Sequence, residues 1–158
     1  IAEDLGMIDK PVRDLLKYTK FPGMKVLQFA FDPESDSEYL PHKYNKNCVA
    51  YIGTHDNATL AGWLDTADKK EVDFAREYLR LKNLCNCDEK REVIKCLMAT
   101  VADVSIITMQ DILGLDNRAR MNVPSRADGN WQWRLMLNWV FFDETADWIK
   151  KITQTYGR

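Results

Sequence analysis

Four carboxylates in this sequence occupy the same kind of place. Glu3 lies in the opening Ile-Ala-Glu-Asp-Leu-Gly stretch, which reads like the end of a strand. Asp32 directly follows the apolar run ending at Phe31, Asp56 lies just beyond Tyr51-Ile52-Gly53, and Asp111 just beyond Ile106-Ile107-Thr108-Met109. In a β/α barrel or an open parallel sheet, strand C-termini converge on one rim, where binding and catalytic groups gather. Acids pooled there suit glycoside chemistry: one carboxylic acid protonates the leaving oxygen, and a carboxylate attacks or stabilises the oxocarbenium-like centre. The alternative for each acid is a helix cap, because βα loops favour acids for that reason. Aromatic residues add to the sugar reading. Trp131 and Trp133 sit in the loop-like Gly129-Asn-Trp-Gln-Trp-Arg134 segment, and Phe29, Tyr39 and Tyr44 lie near other expected rim loops. Trp139 and Trp148, on helical faces, read as core.

The Gly53-Thr-His-Asp-Asn57 segment also invites a metal reading. Such sites take several histidines, and only His42 remains beside His55. His55 is therefore read as a hydrogen-bond donor to a substrate hydroxyl, or as a brace packed into the rim. Cys85 and Cys87 stand one residue apart rather than two, which does not match common zinc knuckles. The four cysteines read as reduced thiols of a cytosolic protein, with Cys48 and Cys96 in the core. No metal and no cofactor are expected.

The elements that position these residues follow from local pattern. Asp9-Lys10-Pro11 marks a helix start, with Val12, Leu15 and Leu16 on one face. Three short apolar runs, Lys25–Phe31, Cys48–Ile52 and Val104–Met109, read as buried strands of a parallel sheet. Helical periodicity covers 68–83 and 88–102, capped by Asp68 and Asp88. The apolar stripes are Phe74, Tyr78 and Leu81 in the first, and Val93, Leu97 and Val101 in the second. Residues 114–130 read as loop, and 143–152 as a capped amphipathic helix turning Trp148, Ile149 and Ile152 to the core. Strands alternating with helices point to an α/β fold.

Composition bounds the rest. The chain has 158 residues, a net charge of −2, 29% charged and 46% hydrophobic residues, with 7 Gly and 5 Pro. That is ordinary globular composition for one domain, without low-complexity tracts. The near-neutral charge argues against a nucleic-acid partner, and no apolar stretch is long enough for a bilayer. The acidic opening is unlike a signal peptide's basic leader, so a cytoplasmic location is expected. A start at Ile1 rather than Met is what a piece of something longer would show.

Six motifs in series carry a resemblance to a known family. These are Ile-Ala-Glu3-Asp-Leu-Gly6, Phe21-Pro-Gly-Met-Lys-Val-Leu-Gln-Phe29, Gly53-Thr-His-Asp-Asn57, Gln110-Asp-Ile-Leu-Gly-Leu115, Arg120-Met-Asn122 and Gly129-Asn-Trp-Gln-Trp-Arg134. Together they resemble the amylomaltases, the bacterial 4-alpha-glucanotransferases of glycoside hydrolase family 77. The resemblance implies a (β/α)8 TIM barrel, with residues 1–158 as the C-terminal half of the catalytic barrel domain and no separate second domain. It implies retaining transfer of α-1,4-glucan segments between maltooligosaccharides. Glu3 would be the general acid/base and Asp56 the transition-state stabiliser. His55, Asp32, Asn57, Asn122, Asn130 and Trp131 would bind substrate. The family's nucleophilic aspartate would lie upstream of Glu3, outside this chain, leaving the fragment inactive alone; the alternative reading is a non-catalytic glucan-binding or interaction fragment. Pro124-Ser125-Arg126 departs from the family's frequent Pro-Gly-Thr. Strand edges left uncovered in a partial barrel make self-association a hazard.

Overall fold

In the computed structural model, which describes residues 1–6, 8–81, 84–136 and 143–158, the Asp9-Lys-Pro signal opens helix α1 (Lys10–Thr19). The Asp9 carboxylate accepts from the Val12 N–H at 3.2 Å, and Pro11 sits in the first turn, where its missing N–H leaves nothing unpaired. The expected apolar face stays on the surface: Val12 and Leu15 are exposed, and no α1 residue is buried.

Three strands, β1 (Gly23–Val26), β2 (Cys48–Tyr51) and β3 (Val104–Ile106), pair in parallel in chain order. Gly23 stands opposite Cys48, and Val49 opposite Val104. Central β2 is almost wholly buried, as an unbroken apolar run demands of a parallel sheet covered on both faces. The run Lys25–Phe31 is not one strand, however. Its ladder stops at Val26, Leu27–Phe29 winds into a 3-10 turn that still buries Leu27, and Ala30 and Phe31 are buried just beyond it. Likewise β3 ends at Ile106, because Thr108 accepts from the Asp111 N–H and starts a short helix, α5 (Met109–Ile112). The strand end expected at the start of the chain is one backbone bond, Ala2 N–H to Pro22 O at 2.9 Å, without a strand.

Between β2 and β3 run α2 (Leu60–Thr66), α3 (Lys69–Tyr78) and α4 (Asn86–Met98). Sequence periodicity had no signal for α2. Asp68 caps α3 at 2.7 Å as expected, but the helix ends at Tyr78, and Arg80 then turns left-handed at φ 57°. Helix α4 stops at Met98, four residues short of expectation, which leaves Val101 exposed. The final helix, α6 (Asp143–Tyr156), buries Ile152 and lays Trp148 and Ile149 against the core. That core joins Leu27, Phe31, Ile52, Leu60, Trp63, Ile94 and Leu97. Buried Glu89 is held by Arg76, Nε to Oε1 at 2.5 Å and Nη2 to Oε2 at 3.2 Å. The described residues thus form an α/β fold on a small parallel sheet; a closed barrel is not among them. Trp139 and the side chain of Cys87 lie outside the described residues. No described helix is long and apolar enough to cross a membrane.

Candidate active site

The loop after β2 is a braced turn. Asn57 Oδ1 accepts from the Thr54 N–H at 2.9 Å and from the Thr54 hydroxyl at 2.8 Å, putting His55 and Asp56 at the tip, each about half exposed (54% and 48%). Buried Gln28 holds the loop from below. Its N–H donates to Ile52 O at 3.0 Å and its Nε2 to Ala58 O at 2.9 Å. A Cβ at Gly53 would fall 2.9 Å from Gln28 Nε2 and 3.0 Å from Asn57 Cβ, so this close approach needs glycine.

The segment from Arg120 to Trp131 closes over that tip. Arg120 Nη2 donates to Asp56 O at 2.8 Å, the Asn122 N–H to His55 O at 3.1 Å, and Asn122 Nδ2 to Asp56 Oδ1 at 2.6 Å. The same Oδ1 faces His55 Nε2 at 3.3 Å. Trp131 has φ 63°, is 52% exposed, and sets its ring 5.0 Å from the His55 ring at a tilt of 37°. A bulky residue in left-handed backbone stores about 1–3 kcal/mol of strain, and such outliers gather at functional sites. Here it presents an open indole face beside His55. Asn130 staples the intervening loop, accepting from Val123 N–H at 2.9 Å and donating to Arg126 O at 2.9 Å. Buried Gln110 supports the segment from beneath, Nε2 to Ala119 O at 3.1 Å.

His55, Asp56, Asn122 and Trp131 therefore meet, with Asn57 and Asn130 bracing the two loops. Glu3 and Asp32 are exposed, and Asp32 accepts from the Glu34 N–H at 2.9 Å. Among the described residues, no hydrogen bond ties either acid to this cluster. Asp111 leaves the set of rim acids. It is 3% exposed, and its Oδ1 accepts from the Leu60 N–H at 2.6 Å, capping α2. Burial pushes its carboxyl pKa up, against the Leu60 and Thr108 hydrogen bonds. Asp111 thus caps a helix, but one that precedes its strand and not the one that follows it. Tyr44 is also core rather than rim, and burial drives its phenol pKa up. Phe29 and Tyr39 pack edge to face at 5.6 Å, and His42 Nδ1 pairs with Tyr78 OH at 2.9 Å. Among the described residues no three His, Cys, Asp or Glu side chains converge as a metal-ligand set.

Chemically, the cluster offers a carboxylate with one oxygen fixed and the other able to accept from a hydroxyl, an imidazole donor, and a flat apolar face. Such a set of groups has the chemistry to pair with a polyhydroxylated ring and to offset positive charge on it.

A family model described as 4-alpha-glucanotransferase matches residues 1–138. The chain belongs to that family. It is 47% identical to the 4-alpha-glucanotransferase of Clostridium butyricum, aligned over all of this chain and 32% of that protein. It is 42% identical to the chloroplastic/amyloplastic 4-alpha-glucanotransferase of Solanum tuberosum, over all of this chain and 27% of that protein. Among solved structures, the amylomaltase of Streptococcus agalactiae in complex with acarbose superposes with a TM-score of 0.90 at 39% identity, covering 99% of this chain and 31% of that one. The chain spans about a third of the length of these family members.

Within this family member, three residues that hold the site carried no role in the sequence reading: Arg120, Gln28 and Gln110. Arg120 lay inside the Arg120-Met-Asn122 motif, two residues from Asn122, and that was its available signal. Gln28 and Gln110 likewise lay inside the Phe21–Phe29 and Gln110–Leu115 motifs, but neither motif discloses which carbonyl the side chain will reach.

Proposed function

We propose that this chain is part of a 4-alpha-glucanotransferase that moves α-1,4-glucan segments between maltooligosaccharides by a retaining double displacement. The observation that carries the reading is the carboxylate of Asp56, fixed at one oxygen by Asn122 beside His55 and the strained Trp131. In this reading Glu3 protonates the glycosidic oxygen as the C1–O bond breaks, while an aspartate outside these 158 residues bonds to C1. Asp56 and His55 grip the hydroxyls of the same sugar and offset charge on the ring. An acceptor glucan's hydroxyl then attacks C1, Glu3 takes back its proton, and the aspartate leaves. Asp32, Asn122 and Trp131 add further sugar contacts, while Asn57 and Asn130 serve binding by bracing the two loops.

A retaining reaction needs two carboxyl groups about 5–5.5 Å apart across the bond. The partner of Glu3 comes from the rest of a (β/α)8 barrel, typically roughly 250 residues, of which this chain is one part. Transfer between sugars needs carboxylates and positioning, and no cofactor.

Maltotriose disproportionation, run side by side on this chain and on a protein of its relatives' full length, tests the proposal. The expected result is glucose plus longer oligomers from the full-length protein alone, with the short chain limited to maltooligosaccharide binding. Turnover by the short chain would overturn the missing-nucleophile account, and silence from both would leave glucan binding without catalysis.

A further inference from the structure

Glu3 is exposed, and among the described residues its side chain makes no hydrogen bond, so its place depends on its neighbours. Both neighbours are tied to one edge of β1. The Ala2 N–H donates to Pro22 O at 2.9 Å, and the Met24 N–H donates to Asp4 Oδ1 at 2.6 Å. The O of residue 22 and the N–H of residue 24 point the same way from an extended strand, so the two bonds bracket Glu3 along a single edge. Asp4 lies directly over Gly23. A Cβ there would stand 2.8 Å from the Asp4 carboxyl carbon and 2.9 Å from Oδ1, a distance at which one group must move. Glycine at 23 thus makes room for the carboxylate that clasps Met24.

We infer that Asp4 is a positioning residue for Glu3, locking the acid/base to β1 through the Met24 N–H over Gly23; this rests on Glu3 being the acid/base. The clasp lies next in sequence to the carboxyl group whose proton is transferred. A displacement of about 1 Å in such a group can reduce turnover about 100-fold without touching substrate affinity.

The test uses the protein at its relatives' full length, with kcat and KM on maltotriose, thermal melts, and the burst of fluoride release from α-maltosyl fluoride. Fluoride departs without a proton from the enzyme, so its burst reports glycosylation independently of the acid. D4A and G23A are expected to lower kcat on maltotriose about 10- to 100-fold with KM nearly unchanged. Their fluoride burst should keep the unmodified rate. D4N should recover most of the loss, because the amide oxygen still accepts from Met24. Full maltotriose activity in D4A while E3Q is silent would overturn the clasp alone. An equal loss on both donors would overturn it too, by showing general distortion of the site. Full activity in E3Q would overturn the assignment of Glu3, and the clasp with it.

Discussion

Asn122 donates to Asp56 Oδ1 at 2.6 Å, and that one oxygen also faces His55 Nε2 at 3.3 Å. Two neighbours on one oxygen leave the other open and fix the direction in which the carboxylate points. Replacing Asn122 with alanine in the full-length protein removes a hydrogen bond to a charged group, worth about 1.5–3 kcal/mol. The expected loss in kcat/KM on maltotriose is roughly 10- to 100-fold. N122D instead sets two carboxylates against each other and should cost at least as much as N122A. Full kcat/KM in both variants would overturn the role of Asn122 in aiming Asp56.

Asp111 gives stability a pH dependence of definite sign. Burial raises its folded pKa above the ordinary 3.8, so the folded chain binds this proton more readily than the unfolded chain. From pH 3.8 up to the raised folded value the folded state holds more protons, and stability falls as pH rises through that window. D111N keeps an oxygen for the Leu60 N–H and removes the slope. Its melting temperature should gain on the unmodified protein as pH climbs, then hold level. D111A strands a buried N–H and should be less stable by about 1–3 kcal/mol.

Ser125 sits at φ 66°, a backbone setting that suits glycine, at the place where the resemblance puts Gly. S125G should be stabilising by about 0.5–1 kcal/mol, the left-handed penalty outweighing glycine's extra freedom when unfolded. Chemical denaturation measures this directly. A lower midpoint would mean that the hydroxyl, and not the backbone, governs this turn.

On β3, Val104 and Ile106 are 45% and 40% exposed. Apolar side chains on an edge strand of a parallel sheet invite a neighbour. The isolated chain is expected to elute from a sizing column as a concentration-dependent oligomer. A monomer at every concentration would refute this.

Much of this arrangement was legible from residue order, and the exceptions have physical causes. Asp9, Pro11 and Asp68 announce their helices because capping is local chemistry within three residues. The run Lys25–Phe31 looked like one strand because apolarity reports burial and not conformation; Leu27 is buried in a 3-10 turn, and Ala30 and Phe31 are buried after it. Helix α2 escaped notice because it is seven residues long and contains Gly62, and what fixes it is core burial of Leu60 and Trp63 together with the Asp111 and Thr59 caps, one of them 51 positions away. The same long reach misled the reading of Asp111, whose position after a strand matched that of Asp56 while its partner did not. His55, Asp56 and Trp131 were readable by type; that Asn122 would meet Asp56 was not, since nothing local joins them.

That junction has a dynamic consequence. The Asp56 turn and the Asn122 segment stand 66 positions apart and are joined by polar bonds at partly exposed atoms, with the apolar core lying elsewhere. The two can part while the sheet and helices stay folded. The Asn122 N–H, bonded to the His55 carbonyl, is therefore a built-in clock: the pace at which it trades hydrogen for deuterium counts separations of the two loops, and a bound sugar spanning both should slow it.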